Sequence, residues 1–213
     1  MQIIKNKLNA NENVFVKKSD EKVLVIEREK ILPDGGFHGI KPVDFDFYEK
    51  IIDKNKQFLW RSHMELNPNY KQVIPYLVFN YHDKIFLMRR KKTSSERRLK
   101  NKYSLGIGGH IRQEDIEGTH IFDWAKREFE EEVFYDGELK IEPLGLLNDD
   151  SNDVGRVHIG LVFLLRGEDR EIKIKSELQE GNLLDLKQAQ SYYSKMESWS
   201  QIVYDYLNKT RLV

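Results

Sequence analysis

An α/β fold preceded by an N-terminal α+β extension is predicted by three features of this 213-residue sequence. Apolar runs of strand length recur between residues 73 and 165. A helical period interrupts them once and returns near the end of the chain. Short strands and an amphipathic helix come before them.

In chain order, Val23-Leu24-Val25-Ile26 and Ile31-Leu32 read as short strands, with a turn at Pro33-Asp34-Gly35-Gly36. Phe47/Tyr48, Ile51/Ile52 and Phe58/Leu59 recur at helical spacing and predict a helix from about Asp44 to Trp60. Its apolar face packs against the rest of the chain or forms a homodimer surface. Residues 1–68 are assigned to this extension and 69–213 to the main domain. There, Val73 to Asn80 and Lys84 to Arg90 read as strands joined by the tight turn Tyr81-His82-Asp83. Tyr103 to His110 is a third strand, and His120 to Tyr135 a helix. Leu139 to Leu147 and Val157 to Leu165 follow as apolar strands around the polar loop 148–153. Tyr192, Met196, Trp199, Val203 and Tyr206 give one apolar stripe on a long helix from Lys187 to Leu207.

Composition bounds the chemistry. Lys+Arg and Asp+Glu are both 35, so net charge gives no reason to expect a nucleic-acid or acidic-lipid partner. With no Cys, disulfides, thiol nucleophiles and thiolate metal sites are excluded. The first residues, Met1-Gln2-Ile3-Ile4-Lys5-Asn6-Lys7, lack the apolar core of a signal peptide. No stretch approaches the ~20 apolar residues of a membrane span. A cytoplasmic location is the expectation.

The run Arg127-Glu128-Phe129-Glu130-Glu131-Glu132 carries the chemistry. Residues three and four apart share a helix face, so Glu128, Glu131 and Glu132 converge while Glu130 points elsewhere. Three converging carboxylates repel one another, and a hard divalent cation with oxygen ligands removes that penalty. The helix follows a strand ending in Gly108-Gly109-His110. Between Arg89 and Lys102 there are eight basic residues and one acidic residue, Glu96. Phosphate contact, a solvated arm and an RNA patch are all open for this stretch. In the strand reading Arg89 and Arg90 lie on opposite faces, so one of them faces the cleft. His158, inside an apolar strand, reads as structural, and His120 as solvent-facing.

Together, Gly109 and Arg127 to Glu132 resemble the Nudix box, the signature of the Nudix hydrolases. That signature is Gly, five residues, Glu, seven residues, Arg-Glu-aliphatic, any residue, Glu-Glu, any residue, Gly-aliphatic. Two positions depart from it. Thr119 stands where the first Glu falls and reads as a helix N-cap; Glu114, Asp115 or Glu117 replaces that carboxylate if the loop is longer by about four residues. Phe134 stands at the closing Gly, which predicts a helix extended by about one turn and stopped at Gly137.

The resemblance implies an α/β/α sandwich around a mixed sheet and hydrolysis of a diphosphate linkage in a nucleoside diphosphate joined to another group. It also implies Mg2+ or Mn2+ held by Glu128, Glu131, Glu132 and the Gly109 carbonyl. Arg127 then pairs with Glu131, and the general base is Glu131, Glu177 or Glu180. Arg89, Arg90, Lys102 and His110 are the candidate contacts to a phosphorylated, nucleotide-like small molecule. The absence of Cys counts against the isopentenyl diphosphate isomerase branch. The other readings are a noncatalytic ligand-sensing or interaction domain and an RNA-cap or RNA-directed pyrophosphohydrolase.

Overall fold

The computed structural model describes residues 20–90, 102–115, 121–175 and 178–213. The extension supplies β1 (Lys22–Glu27), α1 (Arg28–Ile31), β2 (Gly39–Lys41), α2 (Phe45–Asn55), β3 (Gln57–Trp60) and α3 (Arg61–Met64). Then come β4 (Tyr70–Tyr81), β5 (Lys84–Arg90), β6 (Tyr103–Ser104), β7 (Gly106–Ile107), α4 (Ile121–Glu132), β8 (Val133–Phe134) and β9 (Leu139–Asn148). The chain continues through α5 (Asp153–Val157), β10 (His158–Gly167), β11 (Lys173–Ile174), β12 (Leu178–Asp185), α6 (Leu186–Ala189) and α7 (Ser198–Thr210), with a 3-10 turn at Gln190–Lys195 before α7.

A mixed sheet runs β12-β5-β4-β10-β9-β2. Its centre is parallel, β4 beside β10, with Val73 opposite Ile159 and Phe79 opposite Leu165. The flanking pairs β10–β9, β9–β2, β4–β5 and β5–β12 are antiparallel. The expected α/β fold with a mixed sheet is the one observed. Alternation along β4 divides the core, as a strand buried on both faces requires. Val73, Leu77 and Phe79 join Trp124 and Phe129 of α4 on one face. Tyr76 and Val78 join Met196, Val203 and Leu207 on the other. Phe129 is 2% exposed, and burial of this kind makes its loss to Ala worth about 3–5 kcal/mol. Phe129 thereby sets which face of α4 looks inward, and so where the carboxylates stand. No helix among the described residues is long and apolar enough to cross a membrane.

Several elements differ from the sequence expectation. Ile31 belongs to a helical turn, with Leu32 as its C-cap, because both side chains are buried against the sheet without joining it. The helix expected to Trp60 begins at its Asp44 cap, whose carboxylate accepts the Phe47 amide hydrogen bond at 3.2 Å. It stops at Asn55, and Gln57–Trp60 pairs antiparallel with β1 instead. Sheet pairing satisfies the backbone of Phe58 and Leu59 that helix would otherwise satisfy. Tyr103–His110 forms two strand fragments, not one strand. β6 pairs with β5 and β7 with β4, and between them the Leu105 amide donates to Ser200 Oγ at 2.9 Å.

Helix α4 ends at Glu132 without reaching Gly137, since Val133 and Phe134 pair with β11 and the Lys175 amide caps the Glu132 carbonyl at 2.8 Å. Val157 closes α5 instead of opening a strand. The long C-terminal helix is broken: Met196 and Glu197 are extended. The Glu197 amide bonds to the Tyr103 carbonyl at 3.0 Å, which draws the chain out of helix there. Glu180, read as part of a loop, lies on β12. Thr119, His120, Glu117 and Glu177 lie outside the described residues.

Candidate active site

A cleft of about 640 Å³ opens where α4, the Gly108-Gly109-His110 turn, the α5 loop and the start of α7 meet. Glu128, Glu131 and Glu132 all line it, and Glu130 does not. Glu130 is exposed and lies 3.7 Å from Lys126. The helical spacing that separated these four carboxylates in the sequence therefore separates them in space.

Glu128 is buried between two groups. A Cβ on Gly109 would lie 2.2 Å from Glu128 Oε2, so a side chain here would push this carboxylate aside. Gly108 is equally close-packed, since its added Cβ would sit 2.4 Å from the Pro75 carbonyl oxygen. Arg127 donates from Nη2 to Glu128 Oε1 at 2.8 Å and lies 3.4 Å from Glu131 Oε1. Arg127 thus bridges both carboxylates. Among the described residues no three His, Asp or Glu side chains are gathered closely enough to hold a metal ion as they stand. The hard-oxygen donor set and the glycine cradle beside Glu128 nevertheless fit a divalent cation.

His110 and His158 meet at the cleft, with Nε2 atoms 3.1 Å apart. His158 Nδ1 is 2.7 Å from the Val154 carbonyl, which only accepts. His158 Nδ1 therefore carries a proton, and the two Nε2 atoms share one hydrogen between the rings. Burial, then the charge of Arg61 and the His158 ring, push the His110 pKa well below its ordinary value. A neutral imidazole follows next to Gly109.

Across the cleft, Glu197 is buried, and its Oε1 lies 2.7 Å from Ser104 Oγ and 3.1 Å from the Tyr76 hydroxyl. Tyr76 packs over Gly106, where a Cβ would meet the ring at 2.1 Å. Burial first, then the Glu197 charge, raise the Tyr76 pKa far above normal, so this hydroxyl stays protonated and donates. The Trp199 ring lies edge-on to Tyr76, with centroids 5.5 Å apart, and also lines the cleft.

Of the basic candidates, Lys102 lines the cleft. Arg89 instead meets Glu180, with Nη1 3.2 Å from Oε1, and lies 5.8 Å from the Tyr103 ring. Tyr103 also donates to Glu180, at 3.3 Å. Arg89 and Glu180 pair with each other outside the cleft lining. The Arg90 side chain and Glu177 lie outside the described residues. Sequence reasoning missed Arg61, Arg112, Glu197 and Trp199, all of which line the cleft. No local motif marks them; they arrive through strand pairing and the break before α7.

No family model matches the chain. Protein YmaB of Bacillus subtilis is 37% identical over 206 residues, spanning 89% of this chain and 98% of YmaB. The crystal structure of Tm1382, a Nudix hydrolase by assignment, is 33% identical and covers 89% of this chain and all of its own, with a TM-score of 0.75. This chain belongs to the Nudix hydrolases. Its enzyme class follows with the family, a Nudix-type pyrophosphohydrolase. The Nudix domain of Shewanella oneidensis NrtR, solved with ADP ribose, shares the fold at 14% identity and a TM-score of 0.53, over 67% of this chain and 89% of its own.

Proposed function

We propose that this Nudix hydrolase cleaves the diphosphate linkage of a nucleoside diphosphate joined to another group, with a divalent cation, Mg2+ or Mn2+, held by Glu128, Glu131, Glu132 and the Gly109 carbonyl. The observation that carries this is the shared cleft: three helix carboxylates and the glycine turn line one cavity, and Glu130 is left out. A bound cation supplies charge neutralisation at a phosphoryl oxygen and a more acidic water.

The chain's own groups do the rest. Arg127 holds the rotamers of Glu128 and Glu131 and is a positioning residue. Glu131, half exposed at 52% of its side chain, is the helix carboxylate with freedom to take a proton from an attacking water. Glu180, occupied by Arg89 and Tyr103, is withdrawn as a base candidate. Lys102 at the cleft wall neutralises phosphate oxygens. The Trp199 ring offers an apolar surface for a nucleobase.

The test is a hydrolysis screen with Mg2+ or Mn2+ over nucleoside triphosphates, nucleotide sugars, dinucleoside polyphosphates, nicotinamide dinucleotide and 5′-capped RNA, with product identification. A nucleoside monophosphate released only with added cation is the expected result. Ligand binding without turnover across the whole panel would mark a sensing domain, and turnover confined to RNA an RNA-directed enzyme.

A further inference from the structure

The extension takes part in the cleft through named contacts. The Leu24 amide of β1 donates to the Ile111 carbonyl at 2.7 Å, and Val23 bridges Arg112. β1 thus braces the chain directly after Gly109 and His110. β1 also pairs with β3, which places the next residue, Arg61, at the cleft wall with Glu21. The Arg61 backbone is fixed as well, its amide donating to the Glu21 carbonyl at 2.9 Å.

We infer that Arg61 is a substrate-binding and specificity-determining residue, contacting phosphoryl oxygens of the substrate outside the bond that is cleaved. The inference rests on the cleft being the hydrolase site. Three observations carry it. Arg61 lines the same cavity as Glu128, Glu131 and Glu132. Its guanidinium is preorganised: Nη1 is 2.8 Å from Glu21 Oε1 and Nε 3.1 Å from Glu65 Oε1, which fixes the plane of the fork. Its side chain is also 24% exposed at that wall. A planar, permanently charged fork held in place suits phosphate recognition better than a mobile lysine. Because Arg89 is engaged by Glu180 outside the cleft lining, the extension, not the basic arm alone, supplies cationic recognition.

The experiment compares wild type, Arg61→Lys, Arg61→Gln and Arg89→Gln in the full chain. Turnover is measured on the best substrate of the panel, and ADP binding by calorimetry in chelator. Arg61→Gln should raise KM about tenfold or more with kcat changed less than about threefold, consistent with loss of a charge-assisted contact made equally in ground and transition states. It should weaken ADP binding by a similar factor, with Arg61→Lys between it and wild type and Arg89→Gln unchanged. Mn2+ binding followed by electron paramagnetic resonance should be the same in all four. Unchanged KM and ADP affinity, or a lost Mn2+ affinity in Arg61→Gln, overturns the inference and makes Arg61 a brace for the glycine turn. If Arg61→Gln does not fold, Arg61→Lys decides, and wild-type ADP affinity in that variant overturns the inference. A wild type that neither turns over the panel nor binds ADP removes the hydrolase reading and this inference together. A wild type that turns over substrate while the Arg61 variants match it removes the inference alone.

Discussion

Between the Gly109 backbone and the Arg127 guanidinium, Glu128 has little room to rotate, and 11% of its side chain meets solvent against 52% for Glu131. The two carboxylates thus differ in freedom although both bind the same arginine. Replacing Glu131 or Glu132 by Gln removes a proposed ligand oxygen and should cut turnover on the order of a hundredfold or more. Glu130→Gln should stay near wild type, since Glu130 is outside the cleft. Melting in chelator should hardly move for Glu131→Gln, because a half-exposed ion pair is worth about 0–1 kcal/mol. Turnover against Mg2+ concentration for the three variants checks this, and equal losses for Glu130 and Glu131 would refute the metal reading. At this scale the acidic face of α4 was legible because helical period alone sorts its carboxylates. Arg61 and Glu197 were not, because their neighbours in the cleft are far away in sequence: Glu197 meets Tyr76 and Ser104 only after the sheet has formed.

Elements are joined beside the α5 loop by a charged knot that no motif announces. Lys71 of β4 has a fully buried side chain that donates to Asp150 Oδ1 and to the Gly155 carbonyl, both at 2.9 Å. Asp150 also binds Arg28, so α1 and β4 meet on one carboxylate, and Lys71 ties in α5 through the Gly155 carbonyl. Burial pushes the Lys71 pKa down to about 8, with Asp150 opposing. Burial pushes Asp150 up, but hydrogen bonds from Arg28, Asn148 and Lys71 outweigh it and hold the carboxyl well below its usual range. The two shifts have opposite consequences for stability. Asp150 stabilises the fold above the ordinary carboxylate pKa, and that contribution is lost as pH falls through its lower folded value. Lys71 carries a cost that is full below about pH 8 and is relieved toward 10.5, because the unfolded chain holds more protons in that window. Asp150→Asn should cost on the order of 2–4 kcal/mol at pH 7, less than a wholly buried pair since Asp150 is one-third exposed. Chemical denaturation from pH 7 to pH 3 should show the gap between variant and wild type closing; a constant gap would contradict this account. The central strands β4, β5, β9 and β10 were legible from their apolar runs. β12 and the break before α7 were not, because backbone pairing with β5 and with Tyr103 decides them and leaves no local period.

For the molecule as a whole, the extension is a structural member and not an appendage. β1 covers the start of β4, with Val25 opposite Gln72, and puts Leu24 and Ile26 in the same core as Phe129. A chain beginning at Tyr70 would bare those apolar partners and leave the Ile111 carbonyl without the Leu24 amide. Such a truncation should be poorly soluble and should melt well below the full protein; a monomeric, fully active product on gel filtration and in the turnover assay would disprove this. The hydrophobic pattern marked the extension as apolar, but a period cannot say what an apolar face covers. The central parallel pair has a consequence of its own for biosynthesis. Every residue of β4 from Lys71 to Asn80 is buried, yet its partner β10 lies roughly 85 residues further along. At ~5–20 residues per second a ribosome needs about 4–17 s to deliver that partner. During that interval β4, buried along most of its length in the finished sheet, has one long side unmated, so the centre of the sheet closes only once β10 has emerged.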